Sequence, residues 1–128
     1  MKYMLDTHSL IWFIGGSPQL SDHARQLIDD VRNDLVVSIA TLWEMAIKFS
    51  IGRLTLGLPF EQLFPDQLTR NSMEILAVSV DHLKVVCSLP FHHRDPFDRL
   101  MVAQASVENL PIISVDRVFD DYGIAREW

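Results

Sequence analysis

A few short apolar runs set the limits on how this chain can fold. Tyr3-Met4-Leu5, Leu35-Val36-Val37-Ser38, Ile75-Leu76-Ala77-Val78 and Ile112-Ile113-Ser114-Val115 are too short for helices. They also lack the polar alternation of a strand with one wet face. Longer stretches with apolar residues at helical spacing lie between them. Apolar strands that alternate with helices pair in parallel and are covered on both faces. The expected fold class is therefore α/β, a three-layer α/β/α sandwich around a parallel sheet. A last short strand around Ile124 and Ala125 would bring the sheet to five strands.

The helical stretches have clear punctuation. Thr7 to Ile14 reads as a helix broken by Gly15-Gly16-Ser17-Pro18. Ser21 begins another, with Ala24, Leu27, Ile28 and Val31 on one face. Ile39, Leu42, Trp43, Ala46 and Ile47 keep amphipathic spacing up to Gly52, which places Trp43 in the core. Pro59 to Asn71 reads as helix with a break at Pro65, and Val80 to Leu89 as a helix closed by Pro90. Asp95 fits an N-cap with Pro96 in the first turn, opening a helix that runs to about Asn109. The one cysteine, Cys87, cannot form an internal disulfide, and its apolar surroundings predict a buried helix face.

Length and charge narrow the function. A chain of 128 residues suits one domain, 1–128, able to bury roughly two thirds of its unfolded surface. With 17 Asp+Glu against 11 Lys+Arg, the net charge of -6 excludes a generally basic nucleic-acid coat. A polyanionic substrate would need a local device such as a metal ion or a small basic patch. No stretch is long and apolar enough to span a membrane, and no secretory leader is apparent, so the cytoplasm is the expected location.

Acidic residues recur where such a fold places its crevice, beyond the carboxyl ends of the strands. Asp6 follows the first run and Asp116 the fourth; Glu44 lies two turns into the helix after the second, and Asp98 in the first turn of the helix before the fourth. Converging carboxylates repel one another unless a divalent cation neutralises them, and Mg²⁺ or Mn²⁺ accepts such oxygen ligands. A pair of ions could bind both the attacking and the leaving oxygen of a phosphodiester. Each residue also has a plainer role: Asp6 as a helix cap, Glu44 in an i, i+4 pair with Lys48, Asp98 as a charge in a first helical turn, Asp116 in a turn with Arg117. Thr7 and Ser114 can orient neighbouring carboxylates, or simply cap backbone. Two apart on the fourth strand, Ser114 and Asp116 would point to the same side of it.

The chain resembles a PIN-domain ribonuclease of the VapC-like toxins of bacterial and archaeal toxin–antitoxin pairs. The resemblance rests on four segments in order: Tyr3-Met4-Leu5-Asp6-Thr7-His8, Ser38 to Lys48 with Trp43-Glu44-Met45, His93-Arg94-Asp95-Pro96-Phe97-Asp98-Arg99-Leu100, and Ile112-Ile113-Ser114-Val115-Asp116. It implies a five-stranded parallel sheet and an Mg²⁺- or Mn²⁺-dependent endoribonuclease. The family's acidic quartet falls on Asp6, Glu44, Asp98 and Asp116. Asp6, Asp98 and Asp116 would bind metal, and Glu44 would bind it directly or through water. Asp95 falls on an additional acidic position, and Ser114 stands where members have Thr or Ser. His92, His93, Arg94, Arg99 and Arg117 are candidate RNA contacts, and Arg99 could instead pair with a carboxylate. The implied partners are an RNA substrate, a cognate small antitoxin and a second copy in a homodimer, with Trp12, Phe13 and Trp43 as candidate apolar contacts.

Rival readings exist. A phosphatase or phosphotransferase of the haloacid-dehalogenase type also uses an Asp after the first strand, but wants a second Asp where His8 stands. A receiver domain wants an acidic residue after its third strand, where this chain has Val78-Ser79. Metal-free catalysis by His92 and His93, or a non-catalytic partner-binding module, would need no acidic quartet.

Overall fold

A computed structural model describes residues 1–128. In chain order the elements are β1 (Lys2–Leu5), α1 (Thr7–Ile14), α2 (Asp22–Asp29), β2 (Asp34–Ser38), α3 (Ile39–Ser50), α4 (Phe60–Leu63), α5 (Asp66–Arg70), β3 (Met73–Leu76), α6 (Val80–Ser88), α7 (Pro96–Glu108), β4 (Ile112–Ile113), α8 (Val118–Asp121) and β5 (Arg126–Glu127). Alternation along each strand divides the apolar runs between two cores. Tyr3, Leu5, Leu35, Val37, Met73 and Ile113 meet Leu10, Ala24, Ile28, Leu42, Met45, Leu63 and Leu68 on one face. Met4, Val36 and Ile112 meet Met101, Val102 and Phe119 on the other. The expected three-layer α/β/α sandwich follows directly from this division.

All five strands are parallel, in the order β3-β2-β1-β4-β5. The chain builds outward from β1 to β3 on one side, then crosses to β4 on the other. β1 and β4 therefore flank the point where the winding reverses, and the crevice beyond their carboxyl ends is where such folds place ligands. The helices that open toward this edge are capped by side chains: Asp6 for α1, Ser38 for α3 and Asp95 for α7.

Several sequence expectations need correction. β3 covers Met73–Leu76, not Ile75–Val78, because pairing with β2 sets Leu35 opposite Met73. This edge strand leaves Ile75 exposed, so its apolar run does not mark the ladder. β4 stops at Ile113, and the last strand is Arg126–Glu127, one step beyond Ile124-Ala125. Pro65 does break its stretch, separating α4 from α5. Cys87 is exposed. Of the residues of α6 only His82 is fully buried; in the apolar run Leu83 and Cys87 are exposed while Val85 and Val86 are half-buried. Trp43 is 62% exposed and packs edge-on against Phe97 instead of entering the core. Trp12 is partly buried and lies against Trp128 and His8.

Phe119, 1% exposed, is the aromatic group that closes the second core between β4 and β5. Phe119→Ala should cost about 3–5 kcal/mol of stability in urea unfolding, the usual loss for a buried Phe. A loss below about 1 kcal/mol would mean that this core closes without it.

Candidate metal centre

The site grows from the point where the chain leaves β1. Asp6 caps α1 by accepting the Ser9 amide at Oδ1, 2.8 Å away, and its Oδ2 accepts a hydrogen bond from the Ser114 hydroxyl. The plain capping role is thus real, and one side chain performs it while facing the crevice with its other oxygen. Asp6 is 4% exposed. Burial drives its carboxyl above the ordinary acid range, although the bonds from Ser114 and Ser9 favour the charged form. Ser9 also donates its hydroxyl to the Ile113 carbonyl, 2.9 Å, fastening α1 to the end of β4.

Ser114 carries the connection onward. Its Oγ accepts the Asp116 amide at 3.0 Å. Because β4 ends at Ile113, strand alternation does not govern these residues; Ser114 is wholly buried, whereas the Asp116 side chain is 44% exposed. Asp116 Oδ1 accepts the Val118 amide, which leaves Oδ2 facing the cluster.

Glu44 enters from α3 and is buried. Its Oε1 accepts the Thr7 hydroxyl at 2.7 Å, and its Oε2 pairs with Lys48 Nζ at 2.7 Å. The i, i+4 pair exists, with Glu44 buried and the Lys48 side chain partly exposed. Thr7 thereby links the residue next to Asp6 with Glu44, as Ser114 links Asp6 with Asp116.

Asp98 comes from the first turn of α7. Asp95 caps that helix by accepting the Phe97 and Asp98 amides, so its carboxylate serves the backbone. Asp98 is pushed up to about 7. Burial is the largest cause and the Asp95 charge the next; His93 opposes them, and Glu44 and Asp6 add to the rise. The influence of Glu44 and Asp6 on Asp98 means that carboxylates from separate elements share one field.

Sequence reasoning missed the part played by His93. Grouped with the RNA-contact candidates, it instead sits half-buried among the carboxylates, with Nε2 3.0 Å from Asp98 Oδ2 and 3.8 Å from Asp116 Oδ2. The ligand atoms of His93, Asp98 and Asp116 all lie within 4.8 Å of one another. The signal was its place two residues before a helix-capping Asp, where a ring can fold back on the cap.

Arg99 also differs from expectation. It is 6% exposed and neither faces solvent for RNA nor pairs with a carboxylate. Its guanidinium donates to the Pro90 carbonyl at 2.9 Å and to the Val86 and Leu89 carbonyls at 3.3 Å, and lies 4.0 Å from the Phe91 ring centre. These acceptors are the last carbonyls of α6 and the start of the following loop, which a buried cation can satisfy. His92, Arg94 and Arg117 are exposed.

Residues 3–125 match the PIN domain family. The chain belongs to the PIN-domain family. It is 36% identical over 61 residues to Ribonuclease VapC16 of Mycobacterium tuberculosis, a stretch covering 48% of this chain and 42% of that relative. The match thus spans less than half the length of the curated protein. Solved PIN-like neighbours share the fold over nearly the whole chain. VapBC2 from Rickettsia felis, bound to a fragment of promoter DNA, superposes with a TM-score of 0.71 at 18% identity, covering 99% of this chain and 98% of that one. DNA-bound VapBC from Salmonella typhimurium gives 0.71 at 18% identity, with coverages of 99% and 97%. FitAcB from Neisseria gonorrhoeae gives 0.67 at 16% identity, with coverages of 98% and 96%.

The PIN-domain crevice suits a hard divalent cation. Most of its donors are carboxylate oxygens, and burial together with the neighbouring Asp95 charge pushes Asp98 up to about 7. One consequence is measurable without any cation. Between its ordinary value of 3.8 and about 7, Asp98 keeps a proton when folded that the unfolded chain has released. Folding therefore takes up protons in that window, and stability falls as pH rises through it. The raised pKa of buried Asp6 acts in the same direction. Thermal melts in chelator should show a higher Tm near pH 5 than near pH 7.5, with a weaker slope in Asp98→Asn. Equal slopes in the two proteins would contradict the burial of charge at Asp98.

Proposed function

We propose that residues 1–128 act as one catalytic domain, a divalent-metal-dependent endoribonuclease that a small antitoxin restrains. One observation carries the reading: on a PIN fold, Asp6, Glu44, Asp98 and Asp116 reach the strand-reversal crevice and are joined there by Thr7, Ser114 and His93. The sequence relation to a protein named as a ribonuclease supports the same activity.

Asp6, Asp98 and Asp116 would hold Mg²⁺ or Mn²⁺. When bound, the cation supplies charge neutralisation, polarisation of a phosphodiester and activation of water for in-line attack. The chain's own residues perform the rest. Ser114 orients Asp6 through its hydroxyl bond. Thr7 and Lys48 fix both oxygens of Glu44, which is then set to bind metal directly or through water and to orient the attacking group. Arg94, Arg117 and His92 are exposed cations or donors able to meet RNA phosphates. Their local charge supplies what the overall -6 withholds.

An antitoxin partner is supported by the surface beside the acidic crevice. Trp43 stands exposed against Phe97, and a groove lined by Trp43, Leu83, Val86, Phe91 and Phe97 adjoins it. A segment with apolar residues and a basic side chain would satisfy the groove and the acidic crevice together. Trp12 and Phe13 are partly buried and offer less surface. A homodimer accords with the same reading, as does the cytoplasm as its location. No helix is long and apolar enough to cross a membrane. The haloacid-dehalogenase alternative has no second Asp at His8, which is exposed.

The decisive test incubates the purified chain with structured RNA. Cleavage should require Mg²⁺ or Mn²⁺ and stop on chelation. Asp6→Asn and Asp98→Asn should each lose more than about 100-fold in rate, beyond the ~10–100-fold typical of groups one step from a metal. Cleavage that survives chelation, or persists unchanged in both variants, would sink the nuclease. Expression of the chain alone should arrest growth, and harmless soluble expression would count against the toxin role.

A further inference from the structure

His93 has a better-defined environment than any other side chain of its loop. Its ring Nδ1 accepts the backbone N–H of Asp95 at 2.9 Å. A nitrogen that accepts carries no hydrogen, so in the neutral ring the proton resides on Nε2. That nitrogen faces Asp98 Oδ2 at 3.0 Å, with Asp116 Oδ2 at 3.8 Å. The backbone is held as well: the His93 amide donates to the Tyr122 hydroxyl at 3.0 Å, and Tyr122 in turn donates to the Pro90 carbonyl at 2.8 Å.

We propose that His93 is a positioning residue of the metal centre: fixed at Nδ1 by the Asp95 amide, it presents Nε2 to the Asp98 carboxylate at 3.0 Å, beside Asp116, and orients this pair toward a divalent cation without ligating the cation itself. The proposal rests on the metal-binding half of the function given above. It explains why a histidine stands in a cluster whose other donors are carboxylates. A nitrogen ligand would favour softer ions such as Zn²⁺, whereas an N–H donor preserves an all-oxygen set suited to Mg²⁺ or Mn²⁺. It also gives Asp95 a role apart from metal binding. Its carboxylate caps α7, and its amide selects the tautomer of His93. The arrangement has the logic of outer partners that set the direction of ligands.

Two measurements on the full chain test this without RNA. In protein labelled with ¹⁵N at histidine, the His93 shifts should report an Nε2–H tautomer, and that hydrogen should remain when Mg²⁺ is added. By calorimetric titration with Mn²⁺, His93→Ala should bind roughly 10–100-fold more weakly, the range typical of lost outer partners. His93→Gln, which keeps an N–H donor near the Nε2 position, should recover affinity to within a few-fold. Unchanged Mn²⁺ affinity in His93→Ala, no recovery in His93→Gln, or loss of the Nε2 hydrogen on adding Mg²⁺ would each overturn the proposal. The NMR reading uses the unaltered chain and stands even if a variant fails to fold. A wild-type chain that shows these metal responses but cleaves no RNA would lose the nuclease reading and keep this one. RNA cleavage with undiminished Mn²⁺ binding by His93→Ala would do the reverse.

Discussion

A carboxylate buried at the reversal of the sheet governs the rest of the structure. Asp6 emerges from the central strand into a place that water barely reaches, so each of its oxygens needs a protein donor. The donors come from different parts of the chain: the Ser9 amide in α1 and the Ser114 hydroxyl just beyond β4. Satisfying Asp6 therefore draws together the ends of β1 and β4 and the start of α1.

The other acidic groups are held by neighbouring side chains. Thr7 donates to Glu44, Ser114 donates to Asp6 and accepts the Asp116 amide, and the ring of His93 lies beside the Asp98 and Asp116 carboxylates. Lys48 is the cation that directly pairs with a member of the quartet, and it serves Glu44. The positive charge of Arg99 is spent on backbone carbonyls. The protein thus fixes the positions of the acidic groups more fully than it neutralises their charge. The raised pKa of Asp98, caused first by burial and then by the Asp95 charge, is the mark of that imbalance.

Much of this was legible in the residues. Apolar runs bounded by helical periods lead to a parallel sheet, and the rule that ligands sit at strand ends picks out Asp6 and Asp116 before any fold is seen. Glu44 and Asp98 were weaker candidates from placement alone, since a lone Glu near a Lys or a lone Asp in a first helical turn is ordinary, and the resemblance strengthened them. Spacing could not reveal His93 or Arg99. Their surroundings depend on the path of the 89–95 loop and on partners distant in sequence, Tyr122 for one and the end of α6 for the other. Cys87 and Trp43 misled for a related reason. Apolar periodicity identifies a helix face but not which of its side chains is covered, and here both of these look outward.

The Arg99 clamp has one further consequence. Because it grips main-chain carbonyls, it holds the loop whatever side chains that loop displays. His92 and Arg94 project from the clamped segment into solvent, while His93 between them is turned inward. The loop is thus divided into a fixed frame and a replaceable rim. Substitutions at the rim can alter which molecules the crevice admits while leaving its interior undisturbed, so selectivity can drift through evolution while the chemistry stays where it is.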